Sequence, residues 1–221
     1  MFKSPTAVLF DLDGTLVDTV ETRIAAWLQA FEERGVPASR AQVSRLIGSD
    51  GRRLARVVVS AAGRPIDDQL AEDIDRRAGE IYDSLNTDPR PLPGVSRLLG
   101  ALEEQRIPWA IATSSRRDQV GVSIASLRLK QNPKVIDGSH VERAKPAPDL
   151  LLLAARELGL DPSGIWYVGD STWDMEAAKA AGMPAVGVAT GAVSASDLAA
   201  AGAGLTVKNI EELLALLPGA R

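Results

Sequence analysis

Four short clusters carry residues that could do chemistry. Asp11-Leu12-Asp13-Gly14-Thr15-Leu16 sets two carboxylates two positions apart. At the end of a strand that spacing sends both the same way, and like charges so close require a shared proton or a cation. Gly14 gives the following turn a backbone freedom that other residues lack. The plainer reading is an Asp-Gly turn that merely leaves a strand. Thr113-Ser114-Ser115 offers hydroxyls and backbone N–H groups at a helix entrance, which makes an anion site or an ordinary helix cap. Lys145-Pro146-Ala147-Pro148-Asp149 sets one lysine before another helix, facing either a site or solvent. Gly169-Asp170-Ser171-Thr172-Trp173-Asp174 is a second carboxylate cluster. There Asp174 also completes a capping box with Ser171, so it can be cap, site residue or both.

Each cluster needs an element to hold it. Short apolar runs predict strands at 6–10, 107–112, 134–136, 165–168, 185–188 and 205–207. Helical patterns follow most of them, for example at 95–105, 150–158, 175–181 and 210–217, while 192–204 reads as loop and short helix. Strands alternating with helices predict an α/β fold with a doubly wound parallel sheet. The carboxyl ends of such strands share one edge, so the four clusters are expected to converge there. Together they would supply three or four carboxylates, one lysine and a nest of hydroxyls and amides. Hard oxygen ligands in that number suit Mg²⁺, and the lysine and amides suit phosphoryl oxygens. The chemistry indicated is phosphoryl transfer.

The alternation fails between the first and second strands. Residues 18–89 show only helical patterns, at 21–34, 39–47, 52–62 and 67–85, parted by turn signals such as Gly63-Arg64-Pro65. The expected organisation is an α/β core of 1–17 and 90–221 with an α-helical cap of 18–89. Residues 86–94, with three prolines and a glycine, form the hinge back to the core.

Composition excludes several other classes. The 221 residues carry 25 Lys+Arg against 29 Asp+Glu, a formal net charge of −4, without the basic footprint of a nucleic-acid binder. With no cysteine there are no disulfides, thiolate metal sites or cysteine nucleophiles. No stretch approaches the roughly 20 apolar residues of a membrane span, and the acidic N-terminal region does not resemble a secretory signal. The chain is expected to be cytoplasmic, mature as written, and a monomer or homodimer without nucleic-acid or membrane partners.

In order and type the four clusters resemble the motifs of the haloacid dehalogenase superfamily. Residues 11–18 match its first motif at nearly every position, and Thr113, Lys145 and Asp170 with Asp174 follow as the second, third and fourth. The insertion after the first motif is similar to that of the branch of phosphoglycolate phosphatases and β-phosphoglucomutases, which carries a helical cap. The resemblance implies that Asp11 attacks phosphorus and that Asp13 acts as general acid and then base. It further implies that Asp11, the Asp13 carbonyl, Asp170 and Asp174 hold Mg²⁺, with Asp174 a direct ligand or one step removed. Lys145 and Thr113 would hold the phosphoryl oxygens, with Ser114 beside them.

The cap loop at 47–53 resembles the one that faces the active site in this branch, and Arg52 or Arg53 there could grip an anionic leaving group. A solvated basic face, continued by Arg56, is the alternative. The resemblance thus implies a Mg²⁺-dependent phosphatase acting on a small phosphorylated metabolite through an aspartyl-phosphate. A sugar-phosphate mutase with the same intermediate is a close relative, and a phospho-signalling module is the reading from another class.

Overall fold

Six apolar runs form one parallel sheet in the computed structural model, which describes residues 4–217. Positions 1–3 and 218–221, assigned to the core from sequence, lie outside the described residues. The strands are β1 (Ala7–Phe10), β2 (Trp109–Ala112), β3 (Val135–Ile136), β4 (Ile165–Gly169), β5 (Ala185–Val188) and β6 (Leu205–Val207). Their spatial order is β3-β2-β1-β4-β5-β6. Thus β1 is central, with Phe10 opposite Ile111 on one side and Val168 on the other. This is the doubly wound α/β architecture expected from the alternation.

Both faces of the sheet are covered, which is why its strands read as continuous apolar runs. Val8, Phe10, Trp166 and Val168 pack into one apolar cluster with α5 (Val95–Glu104) and α10 (Ile210–Leu214). Ala7, Leu9, Ile165 and Tyr167 pack on the opposite face against α7 (Asp149–Leu158) and α8 (Thr172–Ala181). The loop-and-helix stretch after β5 contains α9 (Ala195–Ala201), started by a Ser194–Asp197 capping box. The pattern at 210–217 is helical only through Leu214. Among the described residues no helix is long and apolar enough to cross a membrane.

Between β1 and α5 lie four helices: α1 (Val20–Glu33), α2 (Arg40–Ser44), α3 (Gly51–Ala61) and α4 (Asp68–Leu85). They enclose an apolar cluster of their own, including Ile24, Phe31, Leu54, Ile74 and Tyr82. The two chain crossings are stitched together. The Asp18 amide donates to the Arg90 carbonyl at 2.9 Å and the Leu92 amide to the Leu16 carbonyl at 3.0 Å. The Asp18 side chain is exposed, and α1 starts after Thr19 without a side-chain cap.

Candidate active site

Asp11 follows directly on β1, with its amide bonded to the Val168 carbonyl of neighbouring β4. Asp170 stands at the end of β4, and Asp174 lies in the first turn of α8. Adjacent parallel strands ending together therefore bring residues 11, 170 and 174 to one edge. Each offers a carboxylate oxygen, and these oxygens lie within 4.8 Å of one another. All three side chains are buried.

Lys145 joins them from the loop before α7. It is wholly buried, and its Nζ donates to Asp11 Oδ1 at 2.5 Å and Asp174 Oδ1 at 2.7 Å. The solvated-lysine reading is thereby corrected. Tyr167, from the face of β4 opposite Trp166, places its hydroxyl 3.1 Å from Lys145 Nζ and 2.9 Å from Asp174 Oδ1. The other Asp174 oxygen accepts the Ser171 amide and hydroxyl, at 2.9 and 2.6 Å. Asp174 is both helix cap and site residue, with one oxygen in each role.

Burial lifts the Asp11 carboxyl to about 7 against the opposing pull of Lys145. Burial also pushes Asp170 well above the carboxylate range, reinforced by Asp174 and Asp11. Burial alone would lower Lys145, but Asp11 and Asp174 reverse this and keep it charged. Three carboxylates against one ammonium leave an excess of negative charge among hard oxygen donors, so the residues fit a divalent cation such as Mg²⁺. Asp170 is held by Thr15, whose hydroxyl donates to Oδ1 at 2.8 Å.

Two glycines make room for Asp170. Gly14 has φ +82°, and a Cβ there would stand 2.3 Å from Asp170 Oδ2. At Gly191, in the loop after β5, a Cβ would stand 1.8 Å from the same oxygen.

The Asp13 side chain turns away from this trio toward the cap. It accepts the Thr19 hydroxyl at 2.6 Å, the Ser115 hydroxyl at 2.8 Å, the Tyr82 hydroxyl at 3.1 Å and Arg23 Nη2 at 2.9 Å. Burial acts to raise this carboxyl, but the Arg23 guanidinium and the hydroxyl donors outweigh it and hold the group below its ordinary value. Any cation contact from residue 13 must therefore come from its main chain.

Thr113 is buried at the end of β2, and its Oγ1 accepts the Ser115 amide at 3.1 Å rather than capping a helix. The helix it was expected to introduce, α6 (Arg117–Ser126), starts two residues beyond Ser115. The Ser114 hydroxyl donates to the Gly48 carbonyl of the cap at 3.2 Å. Both residues line one cleft with Asp11, Asp13, Lys145 and Asp170. The cap loop reaches this cleft through Ile47, Gly48, Ser49 and Gly51. Arg52 does not line it: its Nη2 donates to the Glu142 carbonyl at 2.9 Å and pairs with Asp50, closing a seam between cap and core. Arg53 lies over the Trp173 ring, its guanidinium carbon 5.0 Å from the centroid.

The cap's guanidinium in the cleft is that of Arg23, on α1. Sequence reasoning passed over it, as it did Tyr167 and Gly191. Arg23 sits within an ordinary amphipathic helix, Tyr167 reads as a core aromatic, and Gly191 falls in a small-residue stretch. His140 is a local residue: its Nδ1 accepts the Asp137 amide at 3.1 Å.

The profile of the family described as "Haloacid dehalogenase-like hydrolase" matches residues 8–188. An N-acetylmuramic acid 6-phosphate phosphatase of Pseudomonas aeruginosa is 32% identical over 96% of this chain and 94% of its own. A phosphoglycolate phosphatase of Shigella boydii is 32% identical over 86% of this chain and 83% of its own. The crystal structure of a hydrolase from Pseudomonas syringae superposes with a TM-score of 0.91 at 31% identity, covering 97% of each chain.

Proposed function

The chain belongs to the haloacid dehalogenase-like hydrolases, and on that premise we propose that it is a Mg²⁺-dependent phosphatase of small phosphorylated metabolites in the cytoplasm. The observation that carries this reading is the meeting of Asp11, Asp170 and Asp174 around Lys145 at the edge of the sheet. In the reaction, an Asp11 oxygen attacks phosphorus as the ester oxygen departs, leaving an aspartyl-phosphate that water hydrolyses. Asp13 would act as acid toward the departing oxygen and then as base for that water, and for the first step it must take up a proton that its pairing with Arg23 disfavours in the ligand-free arrangement. Asp11, Asp170, Asp174 and the main-chain carbonyl of Asp13 would hold Mg²⁺, which neutralises phosphoryl charge when bound. Lys145, Thr113 and Ser114 bind and orient the phosphoryl oxygens. Among the described residues, 4–17 and 90–217 would form the catalytic core and 18–89 the cap over it.

Release of phosphate to water, rather than its return to a sugar as in a mutase, is the outcome that the two phosphatase relatives support. The test is hydrolysis of p-nitrophenyl phosphate with Mg²⁺ and with excess EDTA, by the natural chain and by Asp11→Asn. Mg²⁺-dependent phosphate release, lost in the variant, is expected. Release unaffected by EDTA or by the substitution would refute the reading. Interconversion of sugar-phosphate isomers that requires an added sugar bisphosphate, without net release of phosphate, would instead identify a mutase.

A further inference from the structure

We propose that Asp75 is a specificity-determining residue, whose free carboxylate oxygen reads an ammonium group carried on the leaving alcohol of the phosphate ester. The proposal rests on the phosphatase reading above and names the substrate class within it.

Asp13 turns toward the cap, so the leaving alcohol on which it acts lies beneath the cap's helices. Two charged side chains of the cap line the cleft there, Arg23 on α1 and Asp75 on α4. Arg23 is committed: its Nη2 donates to Asp13 and Ser115, and its Nη1 to Gln119. Asp75 has an oxygen to spare. Its Oδ2 accepts Arg116 Nη2 at 2.7 Å, but no hydrogen bond among the described residues reaches Oδ1.

The sequence leaves room for that oxygen. It lies against Gly51, the first residue of α3, where a Cβ would stand 1.9 Å away. Arg116 precedes α6 in the core, and its hold on Oδ2 ties the carboxyl across the cap–core boundary. The Asp75 side chain is only 14% exposed, so water hydrates it poorly. A group fixed in this way loses little rotational freedom when a ligand binds.

The local charges do not cancel. Arg116 serves two acids, with Nη1 2.7 Å from Glu72 Oε1 while Nη2 holds Asp75. The neighbouring pair of Arg52 with Asp50 is complete in itself. Three carboxylates against two guanidiniums leave one negative charge in the cleft wall. Burial raises the Asp75 carboxyl while Arg116 pulls it down, and Asp50 and Glu72 add to the rise. A poorly hydrated carboxylate short of counter-charge is stabilised by a cation and repels an anion. The rest of the cap wall, at Trp27, Ile47 and Leu54, is apolar. Stripping water from an ammonium costs more than stripping it from a hydroxyl, so an uncharged wall would favour the hydroxyl. The charge on Asp75 reverses that order.

The experiment compares esters that differ only in an ammonium or a hydroxyl at one position. 2-Aminoethyl phosphate is set against 2-hydroxyethyl phosphate, 3-aminopropyl phosphate against 3-hydroxypropyl phosphate, and glucosamine 6-phosphate against glucose 6-phosphate, with Mg²⁺ throughout. For the natural chain, kcat/KM for the amine should exceed that of its alcohol by about tenfold or more in at least one pair. Asp75→Asn keeps the shape without the charge, and should bring that ratio to one or below. Loss of a merely structural cap–core bond would instead lower both members alike. The natural chain's ratios remain decisive if Asp75→Asn does not fold. Ratios of one or below in all three pairs, or equal losses for both members in the variant, would overturn the proposal. No Mg²⁺-dependent release from any ester, p-nitrophenyl phosphate included, would instead overturn the phosphatase reading on which it rests.

Discussion

Lys145 and Asp174 stand 29 positions apart in the chain, yet 2.7 Å separates their charged atoms, and neither side chain has any exposed surface. A buried ammonium is tolerable only while its partners remain ionised, and removing one partner of such a pair costs more than the pair contributes. Asp174→Asn keeps the side-chain shape and one carbonyl oxygen but strands part of the Lys145 charge. We expect a loss of about 3 kcal/mol or more in urea unfolding. A loss below about 1 kcal/mol, as for an exposed pair, would contradict the arrangement.

Metal and pH should act together. The Asp11 carboxyl is raised to about 7 by burial, and Asp170 is raised further, so without a cation both tend to keep protons. A folded-state value above the unfolded one means stability that is full below pH 4 and is lost as the pH rises through 7. Mg²⁺ competes with those protons, so the stabilisation it gives should grow from pH 5 to pH 8. At saturation near one hundred times Kd, it should reach about 2.7 kcal/mol, seen as a rise in Tm. Equal Tm shifts at the two pH values would count against a cation among these carboxylates.

Gly191→Ala tests the cradle of Asp170. The added methyl would meet Asp170 Oδ2, while Gly191 has no side chain that could itself be a ligand. The Mg²⁺ concentration giving half-maximal activity should rise by about tenfold or more. An unchanged Mg²⁺ requirement would show that Asp170 does not need to stand where it does.

The cap–core contact at Tyr82 has an alkaline signature. Burial, and then the charge of Asp13, push the Tyr82 hydroxyl up to about 12. Its contribution is complete below pH 10, the unfolded value, and is lost as the pH rises through 12. The contribution is on the order of 2–3 kcal/mol. Urea midpoints of the natural chain should therefore fall relative to Tyr82→Phe between pH 10 and pH 12; parallel curves would argue against a buried phenol there.

The sheet was legible because its strands are buried on both faces and therefore read as apolar runs between turn signals. The carboxylate clusters were legible because acidic residues at strand ends have few plain structural uses. A helix was expected after Thr113-Ser114-Ser115, but the extent and packing of α6 were not legible, and its geometry says why. Its buried positions include Gln119 and Ser123, which bond Arg23, Tyr82 and Asn86 of the cap region instead of packing on an apolar surface. A helix that buries Gln119 and Ser123 beside Val120 leaves only a weak apolar stripe to detect. Arg23 escaped for the complementary reason: a lone arginine in an amphipathic helix reads as solvated, and only the fold reveals that this one faces Asp13. Arg52, singled out because its loop approaches the cleft, bonds Glu142 and Asp50 outside it.

The most direct test follows the phosphoryl group onto the protein. The enzyme with Mg²⁺ and a turned-over phosphate ester is quenched in acid within its first turnovers and mapped by mass spectrometry. A phosphoryl mass increment on the peptide containing Asp11, cleaved by hydroxylamine and missing from Asp11→Asn, is the expected result. Turnover of the ester with phosphate on another residue, or with the Asp11→Asn variant as fast as the natural chain, would contradict the account.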